Sequence, residues 1–305
     1  MERFIGWLSA GALLLSGFAP AAWGAGYEIW VANQGLDKIQ IIDGDSLKVT
    51  AEIDADADGK PATSKPHMVL FSPDFTYAYV ANVGSAPKTN NILVIRAADR
   101  KIVATLPSGP TTHAVTPSHD GKRALATSVG SDTLIEVLTD SAKGEFTLGR
   151  EIPVGDGPSG IKDRPICAFF SADSKKAYVT NGGDPAAIDP LSTGSISVID
   201  VASGKQTTQI SNIGQEACGL ALSKDGGKIY INVGGYVNRY LAINTKTDAV
   251  LKQGSTGGFD SHGIRLTPDG KELWLANRQS NSIVIVDTAS DAPVARIAEA
   301  GDRPD

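Results

Sequence analysis

One short unit recurs along this chain, and that recurrence limits what the chain can fold into more than any other feature. The clearest copy is Asp260–Thr288, DSHGIRLTPDGKELWLANRQSNSIVIVDT. Its first half, HGIRLTPDG, is an alternating run ended by a turn, where Pro268 presets a negative φ and Gly270 supplies a conformation that Cβ-bearing residues avoid. Two further runs follow, KELWLAN and SIVIVD, rich in β-branched and large apolar residues. Each run is too short for a stable helix and suits a strand of about 5–6 residues. A sheet this small cannot cover its own faces, so it must stack against copies of itself.

The turn locates the other copies: Ser72–Asp74, Ser118–Gly121, Ser171–Ser174, Ser223–Gly227 and Thr267–Gly270. Before them stand HMVLF, HAVTP, ICAFF, CGLAL and HGIRL; after them come YAYVAN, RALATS, KAYVTN, KIYINV and ELWLAN. Asn82, Asn181 and Asn277 each fall eight positions after the Asp of the turn. Third runs (NILVIR, TLIEVL, SISVID, YLAIN, SIVIVD) and fourth runs (KIVATLPSG, LGREIPVG, KQTTQI, AVLKQG, APVARI) complete four strands per unit. The first runs begin at 67, 113, 166, 218 and 262, which gives steps of 46, 53, 52 and 44 residues. Propeller blades run about 40–50 residues. The longer steps come from insertions such as GGDPAAIDPLSTG after Asn181.

The N-terminal unit enters late. Tyr27–Asn33 reads as a second strand, Lys38–Asp43 as a third and Val49–Ile53 as a fourth, with no first. In a closed ring the far end of the chain supplies that strand. AGDRPD at the far end begins such a strand and stops, so the expectation is a missing blade or a chain that goes on. The units span 27–57, 66–109, 110–155, 164–214, 216–258 and 260–300, in one domain over 25–305.

AYVTN at Ala177–Asn181, YVAN at Tyr79–Asn82, HGIRLTPDG and SISVID resemble the YVTN-type β-propeller repeat of exported bacterial and archaeal proteins. The resemblance covers the chain from residue 25 onward. It implies an all-β toroid of four-stranded blades, usually seven, with each first strand lining a central channel. This sequence shows six units and is expected to be a seven-bladed type incomplete at its C-terminus. Propellers host enzymes, binding modules and scaffolds alike, so the fold does not fix a function.

Residues 1–24 read separately. Arg3 starts a short positive region, IGWLSAGALLLSGFA is apolar, and Ala22 and Gly24 offer the small residues of a signal-peptidase site. A cleaved secretory signal is expected, and with it a periplasmic or secreted protein; a retained membrane anchor is the alternative. The run falls short of the roughly 20 residues that span a bilayer, and no later stretch supplies one. Net charge is −6, with no basic stripe, which argues against a nucleic-acid partner. Cys167 and Cys218 are the two cysteines. They sit one position out of phase in the repeat, which turns their side chains to opposite faces and leaves a disulfide an open question. CxxCH and CxxC are absent, so covalent c-type haem and paired-cysteine zinc sites are excluded.

Two constellations are candidates for chemistry. Counting back five residues from each turn gives His67, His113, Ile166, Cys218 and His262, expected as a ring near one channel mouth. Three imidazoles and a thiol on one ring are the donors of a transition metal or a haem-like macrocycle; the other reading is a structural or channel-lining role. DADADG at Asp54–Gly59 opens like a calcium loop through Asp54, Asp56 and Asp58, but Ala62 and Lys65 stand where later ligands belong. His119 lies in a turn and is expected to be solvated. Trp30, Tyr79, Tyr178, Tyr230 and Trp274 recur in second strands and read as blade-to-blade packing. GxSxG, P-loop and HExxH motifs are absent. The expected function is a non-catalytic scaffold that binds a protein or small-molecule ligand at one face, with the loops Gly84–Asn90 and Gly182–Gly194 as contacts. The alternatives are a cofactor- or metal-binding propeller tied to redox metabolism (haem-binding or quinoprotein-linked) and a lactonase-type hydrolase, for which no constellation is found.

Overall fold

A computed structural model describes residues 26–56, 63–84, 90–155 and 163–302, except the side chain of Cys218. The signal-peptide assignment at 1–24, Asp58, and residues 85–89 of the Gly84–Asn90 loop lie outside the described residues.

Twenty-three strands make up the fold, with no helix among the described residues. The first sheet holds β1 (Glu28–Asn33), β2 (Lys38–Asp43) and β3 (Val49–Asp54). The second holds β4 (Pro66–Phe71), β5 (Tyr77–Asn82), β6 (Asn91–Arg96) and β7 (Lys101–Pro107). The third holds β8 (Thr112–Pro117), β9 (Arg123–Ser128), β10 (Thr133–Asp140) and β11 (Glu145–Pro153). The fourth holds β12 (Pro165–Phe170), β13 (Lys176–Asn181), β14 (Ser195–Asp200) and β15 (Lys205–Ser211). The fifth holds β16 (Ala217–Leu222), β17 (Lys228–Val233), β18 (Arg239–Asn244) and β19 (Val250–Ser255). The sixth holds β20 (Ser261–Leu266), β21 (Glu272–Asn277), β22 (Ser282–Asp287) and β23 (Ala292–Ile297). Every sheet is antiparallel in chain order, and the first has three strands where the others have four. Inner strands β4, β8, β12, β16 and β20 pack side by side around a channel, with β1 beside β4. The chain is a β-propeller.

The turns close as their sequence demands. Ser72 Oγ donates to Asp74 Oδ1 (2.6 Å) and accepts the Tyr77 amide (3.0 Å). The same pairing recurs at Ser118–Asp120, Ser171–Asp173, Ser223–Asp225 and Thr267–Asp269. The hydroxyls hold Asp74, Asp173, Asp225 and Asp269 below the usual carboxylate range. Gly270 does take the left-handed conformation (φ 76°), as do Gly121 and Gly226, yet Phe75 and Ser174 fill that place without glycine.

Burial explains the strand composition. All six residues of β5 are buried, because neighbouring sheets cover both of its faces, while the outer strand β7 is largely wet. Five buried clusters join the first sheet to the second, and so on to the sixth. No such cluster joins the sixth sheet to the first among the described residues. Accordingly β21 alternates half-buried and buried (Glu272, Leu273, Trp274, Leu275), and β1 leaves Ile29 and Val31 exposed.

Polar staples cross the same interfaces. Tyr178 Oη (2.8 Å) and Lys176 Nζ (2.8 Å) both donate to Asp248 of the next sheet, and Tyr230 Oη (2.6 Å) and Lys228 Nζ (2.8 Å) do so to Asp291. Buried Asn82 donates to the Ala55 carbonyl (3.2 Å) and buried Asn277 to that of Thr256 (2.9 Å). Tyr79, Tyr178 and Tyr230 are thus packing residues, and Trp30 packs edge-on against Phe71 of the second sheet (ring centroids 5.2 Å apart) while also bordering the channel cavity; Trp274 instead lines that cavity, against the expectation. The fourth strand of the third sheet begins at Glu145, ahead of the expected LGREIPVG. Its hairpin is lengthened around a bulge between Ile135 and Val137, where buried Glu136 accepts from Arg123 Nη1 (2.8 Å) and Arg150 Nε (2.9 Å). Cys167 is a buried free thiol.

Candidate functional site

The channel mouth is built by two devices that recur at every inner strand. The residue just before the strand is left-handed although it is not glycine: Lys65, Thr111, Arg164, Glu216 and Asp260, with φ of 50°, 58°, 57°, 62° and 58°. Such a conformation persists only where surroundings over-determine it. Here the residue just before the third strand of the preceding sheet grips it in four of the five cases. The Asp37 carboxylate accepts the amides of Thr63 (2.6 Å), Ser64 (3.2 Å) and Lys65 (2.7 Å). Asn90 takes the Thr111 amide (2.9 Å), Asp132 that of Arg164 (2.8 Å) and Asn238 that of Asp260 (2.9 Å). In the fifth sheet the Gly182 carbonyl takes the Glu216 amide (3.2 Å) instead.

The second device is a bulge. Register slips between Pro66 and Met68, Thr112 and Val115, Pro165 and Cys167, Ala217 and Leu220, and Ser261 and Ile264. A bulge re-aims the side chain it carries. The first residue in each slip is His67, His113, Ile166, Cys218 or His262, the set expected as a ring. His67, His113 and His262 line one channel cavity of about 690 Å³. At the fourth sheet Cys167 lines that cavity, and Ile166 turns to a smaller recess of about 200 Å³ at the mouth.

The imidazoles of His67 and His113 lie ring to ring, with centroids 4.0 Å apart and planes at 44°. Burial, and secondarily the charge of His262, lowers the His113 pKa to about 4 from the usual 6.5, so this ring is neutral at pH 7. His113 Nδ1 is buried and has no hydrogen-bond partner among the described residues. At the mouth, Arg278 forks onto Asp260 (Nε 3.1 Å, Nη2 3.1 Å), and Arg164 pairs with Glu216 (3.7 Å). The cavity walls are apolar, with Met68, Leu70, Phe169, Leu220, Trp30 and Trp274 among them, and Arg265 reaches in from β20.

Among the described residues, no group of three or more His, Cys, Asp or Glu side chains could hold a metal ion. Of the transition-metal candidates, His67, His113 and His262 border one cavity, with the first two rings tilted against each other. The Cys218 side chain lies outside the described residues. Of the calcium candidates, Asp54 and Asp56 lie among the described residues. Asp54 Oδ1 accepts the Asp56 amide (2.9 Å), an Asx-type turn that uses the first carboxylate for the backbone, and Asp58 lies outside. His119 is exposed in its turn.

Loops after second strands and before first strands emerge on the mouth side. Ile188 in the Gly182–Gly194 loop is fully exposed (102%), Tyr236 is 82% exposed and Phe259 58%. These three loops belong to the fourth and fifth sheets and the entry to the sixth, and they put large apolar side chains in water on one side. The left-handed rim and its Asp/Asn grips escaped the sequence reading. Their trace is there nonetheless: a polar residue stands directly before the third run at Asp37, Asn90, Asp132, Asn238 and Asn281.

No family model and no curated protein matches the chain by sequence. Its architecture is shared with solved structures. It is similar to Kuenenia stuttgartiensis hydrazine synthase (TM-score 0.72, 19% identity, covering 92% of this chain and 85% of that one). It is similar to a functionally unknown protein from Desulfotomaculum acetoxidans DSM 771 (TM-score 0.70, 16% identity, 91% and 86%). It is also similar to a chain of the mitotic checkpoint complex (TM-score 0.72, 12% identity, 92% and 77%). At these identities the likeness establishes the propeller fold and nothing about activity.

Proposed function

We propose that this chain is an exported YVTN-type propeller that acts as a non-catalytic binding scaffold and takes a small-molecule ligand at one mouth of its channel. The observation that carries the reading is the cavity of about 690 Å³, to which all six sheets contribute. That volume lies in the range of small-molecule sites, about 300–1,000 Å³, and a largely apolar lining with a few converging polar groups is their usual character. The exposed Ile188, Tyr236 and Phe259 beside the mouth support a second contact, with a protein partner, on the same face. The apolar run and small residues before Ala25 support export to the periplasm or beyond.

A cofactor-binding, redox-associated role is the competing reading, because three imidazoles face one cavity. One experiment separates the two: record the visible spectrum, metal content and native mass of the purified protein. A colourless, metal-free protein whose native mass carries a bound organic molecule agrees with the scaffold. A coloured or metal-loaded protein that loses its chromophore in H67A, H113A and H262A overturns it.

A further inference from the structure

We propose that the ligand of the channel cavity is a small apolar carboxylate, with Arg265 as its counter-ion and the indoles of Trp30 and Trp274 as walls. This rests on the cavity being a ligand site, as argued above. Charge is the first ground. The chain carries 34 acidic residues against 28 basic, yet among the described residues no Asp or Glu lines the cavity, and one guanidinium does. Arg265 donates Nη1 to the Ile264 carbonyl (2.9 Å) and forms no ion pair with any described residue. A guanidinium has five donors in a fork that matches a carboxylate. The four charged groups at the mouth pair off as Arg278–Asp260 and Arg164–Glu216, so two cations balance two anions where a ligand would enter.

Placement is the second ground. Arg265 sits directly across from Trp274 in the β20–β21 register, which puts both on the face of the sixth sheet that no other sheet covers among the described residues. Trp30, from β1 of the first sheet, borders the same cavity. Both indole N–H groups are already engaged, Trp30 Nε1 with Glu28 (2.9 Å) and Trp274 Nε1 with Glu272 (3.0 Å). The rings therefore offer the cavity apolar faces and no donor. His113, neutral at pH 7, adds no competing charge. An apolar body with one carboxylate matches every wall; a cation would meet Arg265 unshielded, and a polyol would leave the indoles and Phe169 unmatched.

The test uses a shape-matched pair, 3-phenylpropionate and 3-phenylpropionamide, titrated into the full chain. Tryptophan fluorescence is the readout, because two of the four tryptophans line the cavity, and W30F and W274F assign the signal. The acid should bind about tenfold more tightly than the amide, the scale of a charge-assisted bond. R265M should erase that preference and R265K retain much of it. Equal binding of acid and amide, or an acid affinity unchanged in R265M, overturns the carboxylate assignment while leaving the cavity a ligand site. Binding of neither compound below about 10 mM overturns this proposal and counts against the cavity as a ligand site.

Discussion

Asp291 offers the sharpest test of how neighbouring sheets are held. Its carboxylate accepts from Lys228 Nζ at both oxygens (2.9 and 2.8 Å) and from the buried Tyr230 hydroxyl (2.6 Å). The side chain is 12% exposed and that of Lys228 27%. Replacement by asparagine keeps the shape, suits the left-handed backbone (φ 51°) and removes the charge. Bonds to charged groups contribute about 1.5–3 kcal/mol each. Asparagine retains one oxygen for Tyr230, and Lys228 recovers some water, so the net loss in D291N should be about 2–3 kcal/mol. For a domain of this size that lowers Tm by about 4–8 °C. D291A should lose about 1 kcal/mol more, because alanine resists a positive φ. Urea unfolding of wild type, D291N, K228M and the double variant gives the coupling directly, expected at about 1 kcal/mol or more. If D291N lies within about 0.5 kcal/mol of wild type, or the two substitutions add within about 0.3 kcal/mol, the staple argument is refuted.

Three further outcomes follow from the same geometry. The folded-state pKa of His113, about 4, lies below its ordinary 6.5, so the unfolded chain takes up that proton first. Stability should be flat above about pH 6.5 and fall by up to about 3 kcal/mol as pH drops to about 4; H113N should remove that part of the slope in pH-dependent urea melts. Arg150, through its hydrogen bonds, holds Glu136 below the usual carboxylate range, so its contribution is present above about pH 4.5 and lost as pH falls further. E136M, which strands Arg123 and Arg150, should cost about 2–3 kcal/mol in the same melts at pH 7. N277A removes the donor to the Thr256 carbonyl in a fully buried site and should cost about 1–3 kcal/mol, read by calorimetry; a neutral result would show that the asparagine is not a staple.

Strand order and turn chemistry were legible because they are local. Ser/Thr at the turn, Asp two residues on and runs of 5–6 apolar residues dictate the hairpins without reference to anything distant. The asparagines of the second strands were legible as a period, but their purpose was not. Asn82 reaches Ala55 and Asn277 reaches Thr256, contacts that exist only once sheets stack. The histidine positions were found by counting. What counting missed is that a bulge and a left-handed residue aim them, because both depend on a grip from the preceding sheet. Trp274 was misread for a related reason. Its position matches those of Trp30, Tyr79, Tyr178 and Tyr230, and only the absence of a covering sheet beside β21 among the described residues turns it into a cavity wall.

The uncovered faces of the first and sixth sheets change how the molecule should come apart. With five bridging cores for six sheets among the described residues, the first and the sixth sheet each lean on a single neighbour there. Loss of structure should then begin at both extremities and work inward. Amide hydrogens of β9 and β13, in the third and fourth sheets, should exchange last, while those of β2 and β22 exchange well before them.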